Sequence, residues 1–345
     1  MSRPRLASSL LAVAVLAACD LPTEAPIIDQ RWILPVEQTS VGVADLLPDR
    51  VSELPEGFRV SLDPTTSGTT LGQACTACAA ANGTTVPKPP FTTVITVSQD
   101  LPDRVTTVVL GDTDVEVTLA NGFNFDPIRP GGTTGSITLT IRNGEGGAVL
   151  GQTVLNGTVR ALPPGSSTTE TLTLNGTLTG PLHASVDVTS PLGDPVTIDA
   201  SGRLDVTASS DNLVVGAVTA DVSGEDLTID PVDLDAEDLD REAVDRIQEG
   251  RILLEVTNPF DVRADGQVTI EFPGGRISKS LTIGPGVSDV ALSYTGDELR
   301  TFLGVAGSTL TGGLTVSPDA GSVTLQPGQR VAFVTRIDLT IRIGG

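Results

Sequence analysis

The sequence predicts an all-β protein, two tandem β-sandwich domains joined by one short connecting helix, and three observations carry that prediction. Apolar and polar residues alternate along many short runs, the period-two pattern of a strand with one face on a core. The chain holds 37 Gly and 24 Pro and only 3% aromatic residues, the profile of many strands joined by tight turns. The same series of landmarks also occurs twice in the same order.

The first element is an export signal, residues 1–18. Arg3 and Arg5 charge its start, and residues 6–16 are small and apolar. That run is much shorter than the ~20 apolar residues a spanning helix needs, so it reads as a signal and not as a transmembrane anchor. It ends in Leu16-Ala17-Ala18-Cys19, which resembles the bacterial lipobox. The resemblance implies that Cys19 is acylated and becomes the N-terminus after cleavage. Two acyl chains hold a protein on a bilayer where one binds marginally. The alternative is an ordinary signal peptide that happens to contain Cys19. The expected address is the bacterial cell envelope, with the membrane as partner through the anchor. Asp20 resembles the inner-membrane retention signal of enteric bacteria, whereas the long body looks like a surface or periplasmic module and favours the outer membrane.

Residues 19–90 read as a lipidated tether and an irregular N-terminal segment. Up to about residue 45 they are rich in Pro, Glu and Thr. The stretch Arg31-Trp32-Ile33-Leu34-Pro35 is expected to dock as an edge strand, with Trp32 a packing residue. Leu47-Pro48-Asp49-Arg50-Val51 recurs as Leu101-Pro102-Asp103-Arg104-Val105, which marks either two similar edge segments or chance. Cys75 and Cys78 form a Cys-x-x-Cys, and an oxidising envelope makes a disulfide the expectation. A thioredoxin-type motif opens a helix in a βαβ context that this sequence lacks. A zinc site needs two further ligands, and His183 is the only histidine, so no metal or cofactor is expected.

Residues 91–223 form the first predicted sandwich, with alternating strands such as Val115-Glu116-Val117-Thr118-Leu119 and Ile137-Thr138-Leu139-Thr140-Ile141. Asn-Gly pairs at Asn121, Asn143, Asn156 and Asn175 read as type I′ hairpin turns, a reading preferred to glycosylation. Residues 224–250 form an acidic linker and the short helix, the main helix expected. Leu239, Ala243, Val244 and Ile247 would share one face, and Gly250 would stop it. Asp230, Asp233, Asp235, Glu237, Asp238 and Asp240 offer oxygen ligands for calcium but lack the glycine and spaced glutamate of an EF-hand. A solvated loop and helix N-terminus is the preferred reading.

Residues 251–345 form the second sandwich, because its landmarks repeat those of the first. Val115 to Phe123, a strand with an Asn turn and a Phe, lies over Leu253 to Phe260, and Ser136 to Ile141 over Gln267 to Phe272. Ser185-Val186-Asp187-Val188-Thr189-Ser190-Pro191 then matches Gly313-Leu314-Thr315-Val316-Ser317-Pro318, and Val196-Thr197 matches Val323-Thr324 before a long final strand. The stretch 252–343, with Val256-Thr257-Asn258-Pro259-Phe260, resembles the late embryogenesis abundant type-2 (water-stress and hypersensitive response) domain. That resemblance implies an immunoglobulin-like sandwich with an Asn-Pro turn and no catalytic residues, in a family associated with stress tolerance, lipid contact or binding. The first copy departs from it with Asn121-Gly122.

The formal charge of −22 excludes binding of nucleic acid or anionic lipid through a general basic surface. A catalytic triad would have to use His183, with no Gly-x-Ser-x-Gly elbow, and the scarcity of aromatics leaves no sugar platform. The chain is therefore expected to be no enzyme. Its expected role is a membrane-anchored binding or structural module that meets a protein partner, not identified by the sequence, through turns and strand edges. The alternative is a periplasmic carrier of lipid or another apolar ligand, which would need an apolar cavity of roughly 300 Å³ or more.

Overall fold

The computed structural model describes residues 27–209, 213–234, 239–317 and 320–344. Strands hold 62% of the described residues and helices 8%, so the all-β class stands. The chain runs from β1 (Ile28–Gly42) through a 3-10 turn (Val43–Leu46) to β2 (Val51–Leu54), β3 (Gly57–Val60) and β4 (Thr65–Thr70). Two short helices follow, α1 (Leu71–Ala74) and α2 (Thr76–Ala80), and then β5 (Thr85–Pro87) and β6 (Phe91–Gln99). Next come β7 (Val105–Asn121), β8 (Ser136–Asn143), β9 (Val149–Asn156), β10 (Ser167–Leu178), β11 (Leu182–Ser190), β12 (Pro195–Thr197) and β13 (Arg203–Ser209). The second half holds β14 (Leu213–Asp221), β15 (Asp226–Asp233), α3 (Arg241–Asp245), β16 (Ile247–Asn258), β17 (Ala264–Phe272) and β18 (Gly275–Ile283). It ends with β19 (Gly286–Thr295), α4 (Gly296–Phe302), β20 (Thr309–Val316), β21 (Ser322–Leu325) and β22 (Arg330–Ile343).

Alternation decides which side of each strand is buried. In β11 Leu182, Ala184, Val186 and Val188 face the core, and in β16 Ile252, Leu254 and Val256 do. Pairing then follows one rule twice. In the first sandwich β4 pairs β13, β6 pairs β11, β7 pairs β10 and β8 pairs β9, first with last and inward to a central hairpin. In the second, β1 pairs β22, β15 pairs β20, β16 pairs β19 and β17 pairs β18. Matching cross-pairs join the ladders into sheets: β7 with β13 and β8 with β11, then β16 with β22 and β17 with β20. The second nest makes two four-stranded sheets, whereas in the first only β6–β11–β8–β9 is four-stranded, and β4, β13, β7 and β10 belong to an eight-stranded sheet with β2, β3, β14 and β21.

This nested order differs from the immunoglobulin-like sandwich, four strands over three, that the family resemblance implies. The outermost strand of the second sandwich comes from the start of the chain. β1 docks as an edge strand, and the first sandwich lies in the connection between β1 and β15. The second sandwich thus draws on residues outside 251–345. The two are tied by β14, which pairs β7 on one side and β21 on the other.

Two local expectations are corrected. Of the four Asn-Gly pairs, only Asn143-Gly144 closes a hairpin, between β8 and β9. Asn175-Gly176 makes a bulge in β10, with Gly176 at φ 115°, and Asn121 and Asn156 end strands that lead into loops. The expected helix is the five-residue α3, capped by Asp240, whose Oδ1 accepts the Ala243 N–H at 2.7 Å. Ile247 and Gly250 belong to β16, because the ladder with β22 claims their backbone groups. A Cβ on Gly250 would lie 2.6 Å from the Asp338 carbonyl oxygen, so close strand packing and not helix termination explains this glycine. The longest helix among the described residues is α4, whose N-cap Thr295 and Glu298 form a capping box.

Candidate functional site

Cys19 lies outside the described residues, as do Asp235, Glu237 and Asp238 of the acidic stretch. Cys75 and Cys78 are bonded to each other at the junction of α1 and α2. Thr70 and Gln73 cap α1 reciprocally, which sets the chain direction into the motif. Both cysteines are buried, whereas a redox catalyst presents an accessible sulfur.

The echo Leu-Pro-Asp-Arg-Val proves to be one turn built twice. The Val51 N–H donates to the Pro48 carbonyl at 3.2 Å and the Val105 N–H to the Pro102 carbonyl at 3.0 Å. Arg50 and Arg104 sit at φ 68° and 69°, the left-handed conformation a type II turn requires at its third position. Side chains restrain both residues there. Arg50 pairs with Asp63 at 2.5 Å, and Arg104 pairs with Glu225 and donates to the Ser223 carbonyl at 2.7 Å.

The two turns approach each other across a cleft of about 480 Å³. Asp49 and Arg50 line one wall, Asp100 and Asp103 the other, and Ser61, Asp63, Ser98 and Gln99 complete it. With four carboxylates against one guanidinium, the cleft suits a cationic group on a partner. His183, on the neighbouring strand β11, accepts or donates through Nδ1 to Ser98 Oγ at 2.8 Å.

A second constellation is enclosed. Lys88 is 0% exposed, and its ammonium donates to Ser190 Oγ at 2.6 Å and to the Pro191 carbonyl. It lies 4.9 Å from the centre of the Phe91 ring and 5.5 Å from that of Phe125. Burial lowers its pKa from 10.5 to about 8. Phe123 stacks on Phe125 at 5.5 Å and meets Phe91 edge-on at 6.3 Å. The Val86-Pro87-Lys88-Pro89-Pro90 run reads as loop, so the sequence hides this site. Its only signals are the rarity of lysine and the phenylalanine three residues on.

On the outer face of the β1–β22–β16–β19 sheet, Arg31 grips the buried Asp338 with two bonds of 2.7 Å, and Arg251 adds a third at 2.8 Å. The Arg31 guanidinium, with Arg251 beside it, holds the Asp338 carboxyl below the usual carboxylate range. Clefts of about 420 and 320 Å³ flank Arg251, and in the smaller one Leu253, Val290, Ala291 and Val334 mix with Glu255, Asp289 and Arg336. Among the described residues no three His, Cys, Asp or Glu side chains converge as a metal site, and no helix is long and apolar enough to cross a membrane.

No protein-family model and no curated protein matches the chain. Among solved structures it is similar to a candidate secreted protein from Parabacteroides distasonis, at 13% identity and a TM-score of 0.36, over 90% of this chain and 99% of that one. It is also similar to a Paenibacillus xanthan lyase, at 12% identity and a TM-score of 0.18, over 86% of this chain and 27% of that one.

Proposed function

We propose that this chain is a membrane-anchored envelope lipoprotein that acts as a non-catalytic binding or structural module. Leu16-Ala17-Ala18-Cys19 supports the address, with the outer membrane favoured. The observation that carries the binding role is the acidic cleft between the two Leu-Pro-Asp-Arg-Val turns. Its walls are held by side-chain and backbone bonds before any partner arrives, and preorganised walls lower the cost of association. Its one serine–histidine contact uses Nδ1. The partner surface that fits is a basic loop. The carrier reading is less well supported, because Arg251, Glu255, Asp289 and Arg336 rim the small apolar cleft on the second sandwich. The immunoglobulin-like, late embryogenesis abundant type-2 kinship rests on Asn258-Pro259 and the alternating strands that follow it, and the nested strand order departs from it.

Native mass spectrometry of detergent-extracted protein tests both halves. Acylated Cys19 with a protein partner that Asp63→Asn and Asp103→Asn together release supports the proposal. A co-purifying lipid with no partner favours the carrier. Cleavage elsewhere with Cys19 unmodified overturns the anchor.

A further inference from the structure

We infer that the free end of the β1–β22 ribbon rests on the zwitterionic lipid surface to which the chain is tethered, a reading that presupposes the acylated Cys19 proposed above. Pairing of β22 with β16 stops at Ile247 and Ile341, whereas its pairing with β1 continues to Ile28 and Ile343. The ribbon therefore runs past the β16 ladder, where the Arg342 N–H still donates to the Arg246 carbonyl at 3.1 Å. Ile343 continues the inward series Ile337, Leu339 and Ile341, all buried, but stays exposed, in a cleft of about 240 Å³ that it shares with Trp32, Ile341 and Ala243. Ile28 and Ile343 are 57% and 39% exposed and Ile27 beside them 63%, which makes an apolar tip at the point where the described chain begins.

The charge around that tip differs from the rest of the molecule. Asp29 pairs with Arg342 at 3.0 Å on the opposite side of the ribbon, and Glu242 of α3 pairs with Arg246 at 2.6 Å. Asp240 and Asp245 stand beside Arg241, so these seven charged residues sum to −1 in a chain of −22. Such a rim avoids the repulsion from headgroups that the overall charge would otherwise impose. Three isoleucines are too few to bind a bilayer from solution. A lipid on Cys19 changes this, because the stretch to Ile27 reaches at most about 30 Å. Contact then becomes intramolecular, at an effective concentration on the order of millimolar. The occupant is lipid and not a second copy, because the tether delivers this end of the body, and no other, to the bilayer.

The test moves the single tryptophan to the tip. Lipidated protein carrying Ile343→Trp and Trp32→Phe is placed in phosphatidylethanolamine vesicles, part of whose lipid is brominated near the top of the acyl chains. Most of the tryptophan emission should be quenched. Adding Ile27→Asp and Ile28→Asp should restore the emission while the protein still floats with the vesicles and keeps its far-ultraviolet circular dichroism. Flotation without quenching overturns the docking and leaves the anchor standing. Quenching that survives the two aspartates assigns the proximity to the tether alone and also overturns it. Protein that stays soluble with unmodified Cys19 overturns the anchor reading, and the docking with it. A dimer of Cys19→Ala protein that the same aspartates abolish would show that a second copy covers the tip, and would overturn the inference.

Discussion

Asn121 and Asn258 show at the residue scale what the two nests share. Each is buried at the end of a core strand, and each Oδ1 accepts the N–H of the phenylalanine two residues on, at 2.9 Å for Phe123 and 3.0 Å for Phe260. Each Nδ2 donates to the carbonyl four residues on, Phe125 or Val262, and across to the loop before the next paired strand, Leu162 or Gly284. Only an amide supplies donors and an acceptor at once. Asn258→Ala should therefore cost about 2–4 kcal/mol, since it leaves two carbonyls and an N–H unpaired, and a denaturant titration will read it. Asn258→Asp should not rescue it, because a carboxylate cannot donate. Lys88 makes a pH prediction. Its folded pKa of about 8 lies below the ordinary 10.5, so the unfolded chain binds more protons between these values and stability rises with pH across that window. Lys88→Met should remove that rise, seen as the difference between the two unfolding profiles from pH 8 to 10.5.

At the element scale β1 is held less by burial than by its ladder and its ion pairs. Apart from Val41, all of its residues are exposed or half-buried, and Arg31 on Asp338 is its strongest side-chain link to β22. Asp338→Asn should accelerate amide exchange along Ile28–Gly42 before it changes the rest of the sheet. The carboxyl is held below its usual range in the fold, so its contribution is present at neutral pH and is lost as pH falls through that lowered value. The variant should flatten the acid limb of the stability profile. Removing the Cys75–Cys78 bond should cost about 2 kcal/mol, because so short a loop constrains the unfolded chain little. Strand existence was legible here, since period two survives in Leu182-His183-Ala184-Ser185-Val186 whatever its partner. Asn-Gly and the 236–250 face were misread because both signals are local. Asn175 was taken by a bulge and Ile247 by a ladder whose other strand lies far along the chain.

For the whole molecule, composition and alternation made the class and the two-fold pattern readable, and three matched landmarks fall on equivalent strands of the two nests, while Val196-Thr197 and Val323-Thr324 fall on β12 and β21, outside the nests and paired with β5 and β14. The nesting itself was hidden. Thr- and Val-rich strands are interchangeable as partners, and nothing in Arg31-Trp32-Ile33-Leu34-Pro35 says that its ladder lies near residue 340. The cleft was half visible, since the repeated pentapeptide was evident while its two copies being neighbours was not. Protein that begins after Gly42 should keep the β4–β13 nest but leave β22 as a bare edge, which invites self-association. Gel filtration against the longer chain will show it. Arg31 and Asp338 stand 307 positions apart, so in a chain made from its N-terminus β1 waits for β22. Across that interval its ladder groups have no mate, and closing so long a loop is slow. A chain that leaves the ribosome N-terminus first can complete the first sandwich while the second still lacks a border, so completion of the second waits for β22.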